Sequence, residues 1–193
     1  FSGNLGHNYR IYQSSFTNNN ILANDLITEN RPFAIGEFKW HPNWRLNLGF
    51  NWISSEHNVR SRAFLNREST SYTAGINYIS PSKNKIGVLY NLTESVFPNL
   101  EINNTTFIDN QSQQTTYNLI FDWHFLNKTR LEANIGYTEN VFKKFTVRNF
   151  AGITGNAVIT WDVTDKTSIS INAWRQLITA ADITASYIIG QGL

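Results

Sequence analysis

The chain has 193 residues, a formal net charge of +2, and neither cysteine nor methionine. Its length fits one domain or part of a larger one, and a charge so near neutrality gives no strong basic field for nucleic acid. The lack of cysteine excludes a disulfide framework, Cys-ligated zinc or iron–sulfur sites and a thiol nucleophile. Only 16% of the residues are charged while 14% are aromatic, which suits a β protein with one apolar and one polar face.

Alternation of apolar and polar residues marks the strands. From Trp44 to Trp52 every second residue is apolar and those between are Arg, Asn or Gly, and the pattern returns at 117–125, 131–137 and 157–163. No apolar run approaches the ~18 residues that a membrane-spanning helix needs, so a helical membrane protein is excluded. Ten strands are predicted, near residues 3–15, 31–41, 44–54, 70–80, 85–93, 115–125, 130–139, 152–163 and 168–177, with a last strand from about 183.

Short and long connections alternate along the chain. The short turns are rich in Pro, Asn, Asp and Ser, residues that favour tight reversals, and the hairpin unit recurs about every 40 residues. This order predicts an up-and-down antiparallel array. The predicted turns are 41–43, 80–84, 126–129 and 164–167, and the longer polar segments are 16–30, 54–68, 94–114 and 139–149.

Aromatic residues recur at two heights along the predicted strands, one beside the short turns and one seven or eight residues further on. At a rise of about 3.3 Å per residue and a tilt near 40°, the two levels are roughly 20 Å apart, close to the ~25 Å apolar band between the aromatic girdles of outer-membrane barrels. The sequence therefore predicts an all-β, up-and-down transmembrane β-barrel. Its lipid-facing girdles are expected to contain Trp40, Trp44, Phe50, Trp52, Tyr78, Tyr90, Trp123, Tyr137, Trp161 and Trp174.

A soluble antiparallel sandwich or a secreted adhesin is the alternative, because its strands would alternate in the same way. The alternation of short and long connections and the two levels of aromatic residues favour the barrel. We expect residues 1–193 to form a single barrel domain that is part of a larger barrel. The alternative interpretation is a small, complete barrel of ten strands.

The residues between the apolar positions are predicted to line the lumen. Asn amides offer both a donor and an acceptor, which matches hydroxyl-rich solutes such as sugars, although Asn and Ser would also simply make any lumen wettable. Neither sign of charge predominates, so a pore selective for anions or cations is not indicated. The predicted lining includes Arg45, Asn47, Asn51, Asn77, Asn118, Asp122, His124, Arg130, Glu132, Asn134, Asp162 and Arg175.

No pattern for catalysis or for cofactor binding stands out. The four histidines, at 7, 41, 57 and 124, lack the spacing of metal ligands. The sequence contains no Gly-x-Ser-x-Gly motif and no Gly-rich phosphate loop. We therefore expect no enzyme activity, no metal and no cofactor.

The hairpins at residues 38–46 and 159–167 follow a repeated pattern of an aromatic or apolar residue two positions before a Trp, a polar turn, and then a strand of the type x-Leu-x-x-x-aromatic. This pattern resembles the EpsL-like outer-membrane β-barrel porins associated with bacterial exopolysaccharide biosynthesis. Residues 123–137 and 161–174, followed by 184–187, are the most similar to it. The resemblance implies a barrel of more than ten strands in the outer membrane of a Gram-negative bacterium.

The resemblance also implies a role in polysaccharide export. The sequence is thus read as a porin for passive export of exopolysaccharide, with outer-membrane lipid, lipopolysaccharide, the polysaccharide and periplasmic secretion components as partners. Nucleic acid is not expected among them. A general or nutrient-uptake porin is the second reading, and a non-conducting structural or adhesive surface barrel is the third.

Overall fold

Twelve strands form within the part of the chain that the structure, a computed structural model, describes: residues 1–13, 25–99, 101–103, 106–125, 128–178 and 188–193. Two 3-10 helices, Arg60–Leu65 and Thr146–Arg148, lie after the third and the ninth strand. The strands are β1 Ser2–Gln13, β2 Leu26–His41, β3 Trp44–His57, β4 Arg67–Ile79, β5 Lys85–Val96, β6 Glu101–Asn103, β7 Thr106–Ile108, β8 Ser112–Phe125, β9 Thr129–Phe142, β10 Phe150–Thr164, β11 Thr167–Ile178 and β12 Ile188–Gly192.

Ten of these strands form one antiparallel sheet in up-and-down order, as the alternating connections predict. Each strand pairs with its neighbours in the chain, except that β5 pairs directly with β8. The intervening β6 and β7 form a separate two-stranded hairpin, which the sequence analysis missed.

Over the described residues the sheet is open and does not close into a barrel. Within the described residues β1 pairs only with β2, and β12 pairs only with β11. The sheet therefore has two free edges. The order and direction of the strands are those of an up-and-down array, whereas closure would require a further pairing at each edge.

The strand register divides the side chains into an apolar face and a polar face. Successive residues of a strand point to opposite faces, so residues paired across strands share a face. Trp44 pairs with Tyr78, Phe50 with Tyr72, and this face continues through the pairs of β5, β8, β9 and β10. We call it the apolar face, and the opposite one, which carries Arg45 and Asn77, the polar face.

The apolar face is exposed over a broad area, which is unusual for a water-soluble protein. Large side chains of the apolar face are about half exposed, including Leu48 (55%), Val88 (53%) and Ile135 (49%). On the polar face exposure varies along the strands: Thr138 is only 3% exposed and Asn140 only 2%, whereas the side chains of Arg130 and Glu132 near the short turns are about half exposed. In soluble proteins polar residues are mostly exposed, and large contiguous apolar patches are rare.

Most strands extend two to five residues further towards the long connections than their apolar alternation indicates. β2, for example, begins at Leu26 rather than near residue 31, and β8 begins at Ser112 rather than near 115. Polar residues end the apolar pattern there, but backbone pairing continues because it does not depend on side-chain polarity. The predicted start of the last strand near 183 and the turn residues 126–127 lie outside the described residues.

Among the described residues, no helix is both long enough and apolar enough to span a membrane.

Candidate functional site: the polar face of the sheet

The register brings most of the predicted lining residues to one face. Arg45 lies opposite Asn77 across β3 and β4, and Asp122 lies opposite Glu132 across β8 and β9. The same alternation places the other predicted residues of β3, β8, β9 and β10 on this polar face. They are Asn47, Asn51, Asn118, His124, Arg130, Asn134 and Asp162.

Trp174 and Arg175 lie on the opposite faces to those expected. Trp174 pairs with Asn156 and therefore lies on the polar face, whereas Arg175 pairs with Gly155 on the apolar face. The apolar positions of β11 begin at Ile169 and continue at every second residue without interruption. Regular pairing thus forces Arg175 onto the apolar face, although its charge suggests a polar environment.

A charged zone lies beside the short turns on the polar face. Arg130 donates two hydrogen bonds to the carboxylate of Asp122, both at 3.0 Å, and its Nη2 is 2.9 Å from Glu132. Arg45 lies 3.5 Å from Glu37 and also donates to the carbonyl oxygen of His41. Because each cation has a neighbouring carboxylate, the charges largely compensate one another within the zone.

An uncharged zone occupies the other half of the polar face on β4, β5, β8, β9 and β10. On one side the hydroxyls of Ser69 and Ser95 lie 2.9 Å apart, and Asn91 donates to Thr73 at 2.8 Å. On the other, Thr138 lies between two further hydroxyls, within hydrogen-bond distance of both Thr116 and Thr154. These bonds connect neighbouring strands and satisfy polar groups that are partly buried.

The end of the sheet near the long connections carries a buried charged cluster that the sequence analysis missed. Asp25, just before β2, is 2% exposed. Its Oδ2 accepts a hydrogen bond from Arg62 Nη1 at 2.6 Å and lies 2.8 Å from His57 Nδ1. Burial raises the pKa of Asp25, but hydrogen bonds from His57 and Arg62 outweigh it and hold that pKa below its usual value.

The connection between β9 and β10, residues 143–149, also folds back onto the polar face. The guanidinium of Arg148 lies 4.7 Å from the ring centroid of Phe142 and donates to the side-chain oxygen of Asn110 at 2.5 Å. Phe142 shares the polar face with Thr138 and Asn140 and is 6% exposed. The segments after β3 and after β9 therefore both contact the polar face at the same end of the sheet.

The aromatic residues of the apolar face cluster at two levels along the strands. Beside the short turns Trp44 contacts Trp40 and Tyr78, with ring centroids 6.3 and 5.2 Å away. Further along the strands, the rings of Phe50 and Tyr72 are 5.7 Å apart. At this second level Tyr90, Tyr117 and Tyr137 occupy directly paired positions of β5, β8 and β9, while Trp123 and Trp161 lie on the apolar face near the turns and Trp52 beyond Phe50.

Among the described residues, no group of three or more His, Asp or Glu side chains could hold a metal ion. The Asp25 cluster has a carboxylate and an imidazole in contact, but there is no serine or threonine hydroxyl among the bonds of this cluster that the structure gives.

No protein-family model matches the chain, and no curated protein is significantly similar to it.

Proposed function

We propose that this chain forms the wall of an outer-membrane β-barrel porin through which exopolysaccharide is passively exported. The observation that carries the proposal is the broad, exposed apolar face of the sheet. Water would penalise so broad an apolar face, whereas the hydrocarbon of a bilayer would cover it without a protein partner.

The apolar face supports the membrane part of the proposal. Between the two aromatic levels it carries aliphatic residues such as Leu48, Val88, Leu119 and Ile135, and all four are exposed. Aromatic rings at the two levels would lie at the two interfaces, where amphipathic rings are favoured. Arg175 also lies on this face, opposite Gly155, and its long side chain would extend to the interface.

The free edges support closure of the sheet. An unpaired edge exposes backbone donors and acceptors, which is costly in hydrocarbon because water is not there to satisfy them. We propose that β1 and β12 are paired in the assembled protein, either with each other or with further strands. A barrel of more than ten strands agrees with the resemblance to the EpsL-like porins.

The polar face supports the choice of solute. Its hydroxyl and amide groups could exchange hydrogen bonds with sugar hydroxyls, and its charged zone is compensated internally. A wall of this kind does not favour either sign of charge. We propose a polymer that moves through without chemical change, delivered by periplasmic secretion components, while the connecting loops contact lipopolysaccharide.

The test compares arginine substitutions on the two faces. Leu119→Arg is expected to impair insertion into lipid vesicles, since arginine on the lipid face costs ~2–4 kcal/mol at the bilayer midplane. Asn156→Arg, on the polar face, is the matched control and is expected to insert normally. Heat-dependent mobility in gels, and conductance across planar bilayers with added oligosaccharide, are the measurements.

Insertion of both variants to the same extent would contradict the lipid-facing assignment. Conductance that oligosaccharides do not block would favour a porin for other solutes, and insertion without conductance would favour a structural surface barrel.

A further inference from the structure

The segment of residues 58–66, between β3 and β4, is fixed onto the polar face. Arg62, in its 3-10 helix, is 6% exposed and donates to the buried Asp25 at 2.6 Å. Asp25 precedes Ile27, which pairs with His57, and these odd-numbered positions continue the polar face of β2 and β3. The Arg62 side chain therefore reaches back over this face rather than away from the sheet.

Further hydrogen bonds hold both ends and the middle of this segment. Asn58 and Leu26 form two of them: the Leu26 N–H donates to the Asn58 side-chain oxygen at 2.9 Å, and the Asn58 N–H donates to the Leu26 carbonyl at 3.0 Å. At the other end, the His57 N–H donates to the Asn66 side-chain oxygen at 2.8 Å. Asn99, beyond β5, donates to the carbonyl of Ala63 at 2.9 Å.

Asp25 is the centre of this arrangement because one carboxylate oxygen contacts two elements. Both partners are themselves little exposed, with side-chain exposures of 9% for His57 and 8% for Arg62. Removing this carboxylate takes away the 2.6 Å hydrogen bond and the opposite charge that Asp25 gives to the buried guanidinium, which weakens the attachment of the segment. Three consecutive elements, the start of β2, the end of β3 and the 3-10 helix, are thus held together by one side chain.

We propose that residues 58–66 form a fixed constriction at the loop end of the pore, held in place by Asp25, and that this constriction sets the size of solute that can pass. The inference rests on the proposed function, since it assumes that the polar face lines a pore. Arg62 acts here as a positioning residue.

Asp25→Asn is the variant that tests the proposal, and Glu29→Gln is its matched control. Glu29 lies on the same face of β2 and pairs with Arg10 at 2.9 and 3.0 Å, with no contact to the 58–66 segment among the bonds that the structure gives. Both changes replace a paired carboxylate by its amide. Arg62→Gln, which removes the charge from the other partner, serves as a second variant in case Asp25→Asn does not fold.

Two measurements on the full-length folded protein are needed. Limited trypsin digestion reports on the segment itself, through the rate of cleavage after Arg60, a site that all the variants keep. Single-channel conductance with polyethylene glycols of graded mass reports on the size limit of the pore. We expect Asp25→Asn to be cleaved at least several-fold faster than wild type and to admit larger polymers, and Glu29→Gln to behave as wild type in both.

Equal cleavage of wild type and Asp25→Asn would overturn the role of Asp25, whether or not the protein conducts. Faster cleavage with an unchanged polymer limit in a conducting protein would overturn the constriction. A protein that conducts in no variant would contradict the proposed function and the size limit with it, while the cleavage rates would still decide whether Asp25 holds the segment.

Discussion

The side-chain amide of Asn77 lies against the backbone of Gly87, the residue directly opposite it on β5. A Cβ at position 87 would overlap that amide and would come within 2.8 Å of the carbonyl oxygen of Ile76. The same arrangement recurs between Asn118 and Gly136 on β8 and β9, where a Cβ would lie 2.6 Å from the carbonyl oxygen of Tyr117. On the polar face, therefore, asparagine is packed against glycine in two neighbouring parts of the sheet.

Gly87→Ala is expected to destabilise the protein because the added methyl group has no space beside Asn77. Overpacking of this kind typically costs ~1–3 kcal/mol. Gly36→Ala is the control, since the nearest atom to a Cβ there is on the Phe1 ring at 3.6 Å, an ordinary contact. Urea unfolding of the refolded proteins measures both changes, and equal stability of the two variants would contradict the packing.

Trp161 and Trp174 are expected to face different surroundings, because they lie on the apolar and the polar face respectively. In variants that keep one of them and carry Phe at every other tryptophan position, brominated acyl chains should quench the fluorescence of Trp161 strongly and that of Trp174 weakly. A water-soluble quencher should show the reverse order. Equal quenching of both by brominated lipid would contradict the separation of the faces.

The contacts of Asp25 are expected to weaken in acid. The pKa of Asp25 is lower in the folded protein than its usual value, so the folded state favours the charged carboxylate. Its contribution to stability is complete above the usual pKa of an aspartate and is lost as the pH falls through the lowered value. Hydrogen exchange of amides 58–66, corrected for intrinsic rates, should show loss of protection below about pH 4. In Asp25→Asn this acid-dependent step should be absent.

Asp122→Asn is expected to change stability much less than Asp25→Asn. The Asp122 partner Arg130 is 45% exposed, whereas the Asp25 partners are nearly buried. Water screens an exposed ion pair and replaces its lost contacts, but it does not reach a buried one. The midpoint of urea unfolding should therefore stay close to wild type for Asp122→Asn and fall clearly for Asp25→Asn. A larger fall of the urea midpoint for Asp122→Asn than for Asp25→Asn would contradict this prediction.

The hydroxyl rows of the polar face can be recognised from the sequence. The alternating hydroxyls Ser69, Ser71 and Thr73 match the hydrogen-bonded rows of the uncharged zone. Asp25 leaves none, because its partner Arg62 is 37 positions away and lies outside any strand. Contacts of this range depend on how a connection folds back, which local alternation does not encode.

The sequence by itself determined the main strands of the large sheet, their up-and-down order and most of the composition of the two faces. Period-two alternation is a local property of the extended backbone, so it can be read from residues such as Trp44 to Trp52 without any partner strand. The tertiary structure alone decided which face receives Trp174 and Arg175, how far the strands continue beyond the apolar pattern, and where Arg62 is buried. It also decided that, over the described residues, the sheet has two free edges, because backbone pairing and the return of a loop depend on neighbours far away in the chain.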